Sequence, residues 1–136
     1  SNRISPGIQI YNGKYWLIEH AYPSGLLGWL VVVLKRHCEE LHNIDKEEWL
    51  EFADIQFRLL KALKEELDSS KEYLACFAEM EGFKHIHFHI IPKTKDFDLE
   101  NTGTKPFQYL KVGKDNSIDK KKISDLCISI KNRMHS

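Results

Sequence analysis

Residues 84–92 read Lys-His-Ile-His-Phe-His-Ile-Ile-Pro, with His85, His87 and His89 alternating against Ile86, Phe88 and Ile90. A strict two-residue period marks a β-strand with one buried face. The apolar set belongs in a core. The three imidazoles then line the opposite face, roughly 6.5–7 Å apart along the backbone. Proline, which cannot donate to a ladder, is expected to end the strand at Pro92.

Working outward, residues 8–19 read as a hairpin turning at Asn12-Gly13, where positive φ angles suit a two-residue turn. Pro23, Ser24 and Gly25 mark a loop. The run WLVVVL (29–34) is β-branched and nearly continuous, as in a central buried strand. Asp45 and Glu48 have the spacing of a helix capping box, and Ile44 and Trp49 that of a hydrophobic staple. Phe52, Ile55, Leu59, Leu60, Leu63 and Leu67 then recur at helical steps, predicting an amphipathic helix of about five to six turns.

A strand over 72–79 and a turn at Glu81-Gly82 precede the histidine strand. Residues 93–117 read mostly as loop, with an apolar patch at 106–112. Residues 118–134 read as a terminal helix carrying Ile123, Leu126, Cys127 and Ile130 on one face. The order β-β-β-α-β-β lacks regular β-α alternation and predicts an α+β fold on an antiparallel sheet. No repeat or linker divides the chain, so 1–136 is expected to form one domain. Ser1-Asn2 has the look of a tag remnant and is set aside.

Twenty basic and twenty acidic residues balance over 136 positions, of which 42% are hydrophobic. A protein that tracks a long nucleic-acid backbone carries a basic excess, so no such partner is expected. The longest apolar run is too short to span a bilayer, so no membrane partner is expected either. Cys38, Cys76 and Cys127 are widely spaced and odd in number, which suits a reducing cytoplasm better than a disulfide scaffold.

The chemistry lies in the histidine row. Two imidazolium charges at that spacing repel by roughly 2 kcal/mol at an effective dielectric near 20, so the row resists full protonation unless an anion or metal occupies it. Two functional readings stay open at this point. A neutral imidazole with one bare nitrogen attacks phosphorus, while a neighbour donates to phosphate oxygens or to the leaving group. Alternatively, the row supplies ligands to zinc or another transition metal in a metal-dependent hydrolase. Lys35-Arg36 could attract a polyphosphate, but a solvated strand end is the better reading. Lys120-Lys121-Lys122 reads as a solvated helix face, and His42 and His135 as surface residues.

H-x-H-x-H followed by two apolar residues resembles the signature of the histidine-triad (HIT) nucleotide hydrolases and transferases. The resemblance extends upstream. Leu34-Lys35-Arg36-His37 is similar to the segment carrying that family's fourth histidine, and residues 23–29 are similar to the loop before it. In element order it runs from about residue 8 to residue 92.

It implies a five-stranded antiparallel sheet with a long helix and a C-terminal helix, homodimers with joined sheets, and no cofactor or essential metal. It also implies cleavage at the α-phosphate of a dinucleoside polyphosphate or nucleoside phosphoramidate, a purine nucleotide being preferred. His87 would carry the nucleotide covalently. His89 would contact phosphate and assist the leaving group, and His85 and His37 would orient the pocket. His20 stands where the family often has a ribose-contacting Asn. Ile18 and Val31 fall where apolar residues meet the base. Residues 78–84 lack the Gln or Ser of the better-known branches. A non-catalytic nucleotide sensor is the third reading.

Overall fold

The computed structural model describes residues 7–78, 84–98 and 106–135. Five strands, β1 (Tyr11–Asn12), β2 (Trp16–His20), β3 (Leu30–Leu34), β4 (Lys71–Ala75) and β5 (His87–Lys93), form one antiparallel sheet in the order β1-β2-β3-β5-β4. The WLVVVL segment therefore sits at the sheet's centre, as its composition predicts. The turn expected at Glu81-Gly82 and the end of the strand expected over 72–79 lie outside the described residues. The described part of that strand closes at Ala75.

The first hairpin forms, but its tip differs. Tyr11 pairs with Ile18 and Asn12 with Leu17, and the Gly13 N–H donates to the Trp16 carbonyl at 2.9 Å. The two turn residues are thus Lys14 and Tyr15, and Gly13 has no positive φ. Tertiary contacts fix this register, because the Tyr15 N–H donates to Glu51 Oε1 at 2.8 Å and its carbonyl accepts from Lys35 N at 2.8 Å. Gly13 is needed for space, since a Cβ there would collide with the Tyr11 ring and the Glu51 carboxylate.

The long helix α1 (Lys46–Leu67) begins with the expected capping box, in which the Asp45 N–H donates to Glu48 Oε1 at 2.8 Å. Its buried stripe of Phe52, Ile55, Leu59, Ala62 and Leu63 lies on the sheet face carrying Trp16, Ile18, Leu30, Val32, Phe88 and Ile90. The C-terminal helix α2 (Lys120–Met134) packs beside α1 through Ile123, Leu126, Cys127, Ile130 and Met134. No helix among the described residues is long and apolar enough to cross a membrane.

The histidine strand starts at His87 and continues through Pro92 to Lys93, later at both ends than its sequence suggests. Pro92 is tolerated because β3 pairs no further than Leu30 opposite Ile90. Lys93 bonds toward β4, where its carbonyl accepts from Ser70 N at 2.9 Å. Alternation therefore turns Pro92's missing donor to the side where β3 has ended.

Residues read as loop also gain structure. Pro106–Lys111 and Lys114–Asn116 form 3-10 turns. With Leu26, Trp29, Ile91 and Phe97, Tyr109 builds a second apolar cluster. Residues 106–118 dock on the loop before β3: Gly25 N–H donates to the Tyr109 carbonyl at 2.9 Å and Ile118 N–H to the Ser24 carbonyl at 2.7 Å.

Candidate functional site

The two sheet faces have different contents. Alternation sends Phe88 and Ile90 to α1 and leaves His87 and His89 on the opposite face. There, Val33 stands opposite His87, while Val31 and Ala75 flank His89 from either side. The two rings lean together to a centroid separation of 4.9 Å, closer than the backbone repeat.

His85 precedes the strand, and the backbone holds its ring. The Cys38 N–H donates to Nδ1 at 3.2 Å, and Nε2–H donates to the Leu34 carbonyl. Both nitrogens are committed to the end of β3 and the segment after it, which also carries His37. The His37 ring stacks on His85 at 5.5 Å with planes 24° apart. It is otherwise exposed, with Nε2 at 3.3 Å from Glu39. Arg36 holds the same segment to α1, donating to both Glu48 oxygens at 2.8–3.0 Å. That bond, together with the charge, pushes the Arg36 pKa up and the Glu48 pKa down. Lys35 donates to the Gly13 carbonyl. Both cations of the Lys35-Arg36 pair thus have structural partners.

The His85 carbonyl accepts from His87 Nδ1–H at 2.8 Å. A carbonyl only accepts, so the proton of neutral His87 is on Nδ1 and its Nε2 is bare. His89 has the complementary tautomer. The Trp29 indole N–H donates to His89 Nδ1 at 3.0 Å, leaving the proton on Nε2. Trp29 and Phe107 both meet the His89 ring edge-on, at 5.6 and 4.9 Å. Burial among these rings, with the neighbouring His87, pushes the His89 pKa down to about 4. One face thus presents a bare nitrogen beside an N–H donor, the pair a nucleophile and an oxyanion partner require.

The structure gathers His37, His85, His87, His89 and Val31 in this region. It places Ile18 on the opposite face, fully buried in the α1 core. His20 is on that inner face too, 2% exposed. Its Nδ1–H donates to the Ala21 carbonyl at 2.7 Å, and its Nε2 accepts from Gly28 N–H at 2.8 Å. With both nitrogens bonded across the loop 21–28, His20 has none left for a ribose hydroxyl.

The sequence reading missed Trp29 and Phe107. Alternation carries a signal for Trp29, because residues 29, 31 and 33 share a face. Phe107 lies in the apolar patch at 106–112, but it reaches His89 by tertiary docking, and nothing local names that partner. Among the described residues, no three His, Cys, Asp or Glu side chains are placed to hold a metal ion.

Comparisons with known proteins agree with this fold. A histidine-triad protein from Bradyrhizobium japonicum has TM-score 0.76 and 16% identity over 93% of this chain and 90% of its own. A hypothetical histidine triad nucleotide-binding protein from Sulfolobus tokodaii strain 7 has TM-score 0.68 and 19% identity, covering 95% and 84%. The Plasmodium falciparum diadenosine triphosphate hydrolase, solved in complex with cyclomarin A, has TM-score 0.67 and 12% identity, covering 93% and 76%. At such identities the likeness is one of fold. No curated protein sequence matches the chain. A family model described as the HIT domain matches residues 4–96, which include all four candidate histidines, and the chain belongs to that family.

Proposed function

We propose that the protein is a nucleotide hydrolase or nucleotidyl transferase acting at an α-phosphate through His87. One observation carries the reading: His87 Nδ1–H is held by the His85 carbonyl, so the ring on the histidine face keeps an unprotonated Nε2. The Nε2 lone pair attacks phosphorus, the bridging bond breaks, and its electron pair leaves with the departing group. The resulting nucleotidyl-imidazolium keeps its Nδ1–H on the His85 carbonyl, which stabilises the positive charge. Water then attacks phosphorus, returns the lone pair to Nε2 and loses its proton to solvent. His89 Nε2–H supplies a donor for the phosphate oxygens. His85 orients His87 through its carbonyl, and His37 packs over His85. Val31 offers an apolar contact beside His89, whereas Ile18 and His20 act in the core and the loop.

The chemistry and family membership support a dinucleoside polyphosphate or a nucleoside phosphoramidate as substrate. A neighbour in fold, the Plasmodium falciparum protein, is a diadenosine triphosphate hydrolase. The metal-ligand reading has less support. Ligation by His89 Nε2 would put a proton on Nδ1, against the Trp29 N–H, and His85 would have to release both backbone partners.

We further propose a homodimer. Strand β4 is an edge of the sheet, with Leu74 half exposed on the α1 side, and α1 exposes Leu50 and Phe57. The wide spacing and odd number of Cys38, Cys76 and Cys127 suit a reducing compartment such as the cytoplasm.

The test is turnover of diadenosine tetraphosphate, diadenosine triphosphate and adenosine phosphoramidate, each with and without chelator. Release of AMP that chelator does not touch is the expected result. Chelator-sensitive turnover would favour the metal reading, and tight nucleotide binding without turnover would favour the sensor.

A further inference from the structure

The bond from Trp29 to His89 constrains the proton inventory of the site. An indole N–H donates and cannot accept. While it points at His89 Nδ1 at 3.0 Å, that nitrogen must keep its lone pair. A second proton on His89 would set two N–H groups against each other. It would also strand the N–H of Trp29, which is fully buried. Among the described residues no carboxylate offsets this: Trp29 and Val31 face the ring at β3, Ala75 faces it from β4, and Phe107 from the 106–111 turn. His87 on the same strand is the titratable neighbour that acts on His89, and its charge opposes protonation.

A neutral imidazole with its proton on Nε2 is a good hydrogen-bond donor but a poor acid, because giving up that proton leaves an imidazolate. The leaving groups of the two candidate substrate classes differ in what they need. A phosphoanhydride releases a phosphate oxyanion that is stable without a proton near neutrality. A phosphoramidate releases nitrogen, which must be protonated as the P–N bond breaks.

We propose that Trp29 is a positioning residue that holds His89 as a neutral donor and thereby directs this site to phosphoanhydrides rather than phosphoramidates. This rests on the reading of His87 as nucleophile. In the step so defined, His87 Nε2 bonds to phosphorus as the P–O bridge breaks. The electron pair departs on the phosphate oxygen, and the His89 proton stays on Nε2, hydrogen-bonded to that oxygen.

The first test is the two-bond proton–nitrogen spectrum of the nitrogen-15-labelled protein without nucleotide. His89 should show a bare Nδ1 and a protonated Nε2 from about pH 8 to about pH 5.5. A proton on Nδ1 at neutral pH would overturn the proposal. The second is the kcat/KM ratio of diadenosine triphosphate to adenosine phosphoramidate. It should exceed about 10²-fold, the lower range of what a general acid supplies, and equal turnover of the two would overturn the proposal.

Trp29→Phe, which keeps the apolar body, should raise the His89 titration midpoint and narrow that ratio at least about tenfold below neutrality. An unchanged midpoint and ratio in a folded variant would count against Trp29. If the variant does not fold, the wild-type spectrum and ratio still decide. The expected spectrum with no turnover of either substrate would sink the enzymatic reading and its substrate preference, leaving the positioning of His89 standing. Anhydride turnover with a proton on Nδ1 would do the reverse.

Discussion

At the scale of single residues, three neighbouring imidazoles have three different hydrogen-bonding states. His85 is bonded at both nitrogens, His87 is bare at Nε2, and His89 is bare at Nδ1, where Trp29 donates. Sequence alternation brought His87 and His89 to one face, but it carries no information on where protons lie. Those are set by the Leu34 and His85 carbonyls, the Cys38 N–H and the Trp29 indole, which meet the rings only after folding. The low pKa of His89, about 4, comes first from burial. Phe107, edge-on at 4.9 Å, is part of that burial. Phe107→Ala is expected to let water reach the ring and move the His89 midpoint upward toward the ordinary histidine value, as read by NMR titration. An unmoved midpoint would show that Phe107 does not shield the ring.

At the scale of elements, the loop 21–28 is closed by His20, which bridges the Ala21 carbonyl and the Gly28 N–H. Burial lowers the His20 pKa to about 4. The folded state therefore keeps it neutral, while the unfolded chain takes up a proton below about pH 6.5. The stabilisation is complete above that pH and is lost as pH falls toward 4. His20 alone should cost about 2 kcal/mol of stability between pH 7 and pH 5. Urea unfolding should show this slope, and His20→Gln should flatten it; equal slopes in the two proteins would refute the assignment.

Gly28 ends the same loop with φ +97°, and a Cβ there would stand 2.5 Å from Leu67 Cδ1 and 2.8 Å from Pro92 Cγ. Gly28→Ala should destabilise by roughly 2–4 kcal/mol, from backbone strain plus overpacking. A change below about 0.5 kcal/mol in denaturant unfolding would contradict that geometry.

The elements were largely legible because their signals are local: the capping box at Asp45 and Glu48, the stripe from Phe52 to Leu63, the alternation from Ile86 to Ile90. The hairpin tip was not, because Glu51, forty positions from Tyr11, sets its register. Pro92 misled for a related reason. Whether a proline ends a strand depends on where its neighbour ends, and that is a property of the sheet.

At the scale of the whole molecule, the sheet order β1-β2-β3-β5-β4 brings Val31 and Val33 of β3 beside His89 and His87 of β5. The site is therefore a product of topology as well as of the histidine motif. The family match ends at residue 96, yet residues 106–118 return to the loop before β3 and place Phe107 on His89. No local pattern announces that docking.

The edge position of β4 and the exposed Leu50, Phe57 and Leu74 lead to an expected mass of twice the monomer in sedimentation equilibrium. Leu74→Lys should shift the equilibrium toward monomer. A wild-type monomer at high micromolar concentration would remove the homodimer from the proposal.

The central claim, that the His87 Nε2 forms a bond to phosphorus, is tested most directly by trapping. The protein is mixed with a diadenosine polyphosphate, quenched within the first turnover, and mapped by peptide mass spectrometry. The account expects an adenylyl group on His87, and neither adduct nor turnover in His87→Ala, whose fold is checked by circular dichroism. Full turnover by His87→Ala, or an adduct on another residue, would contradict it.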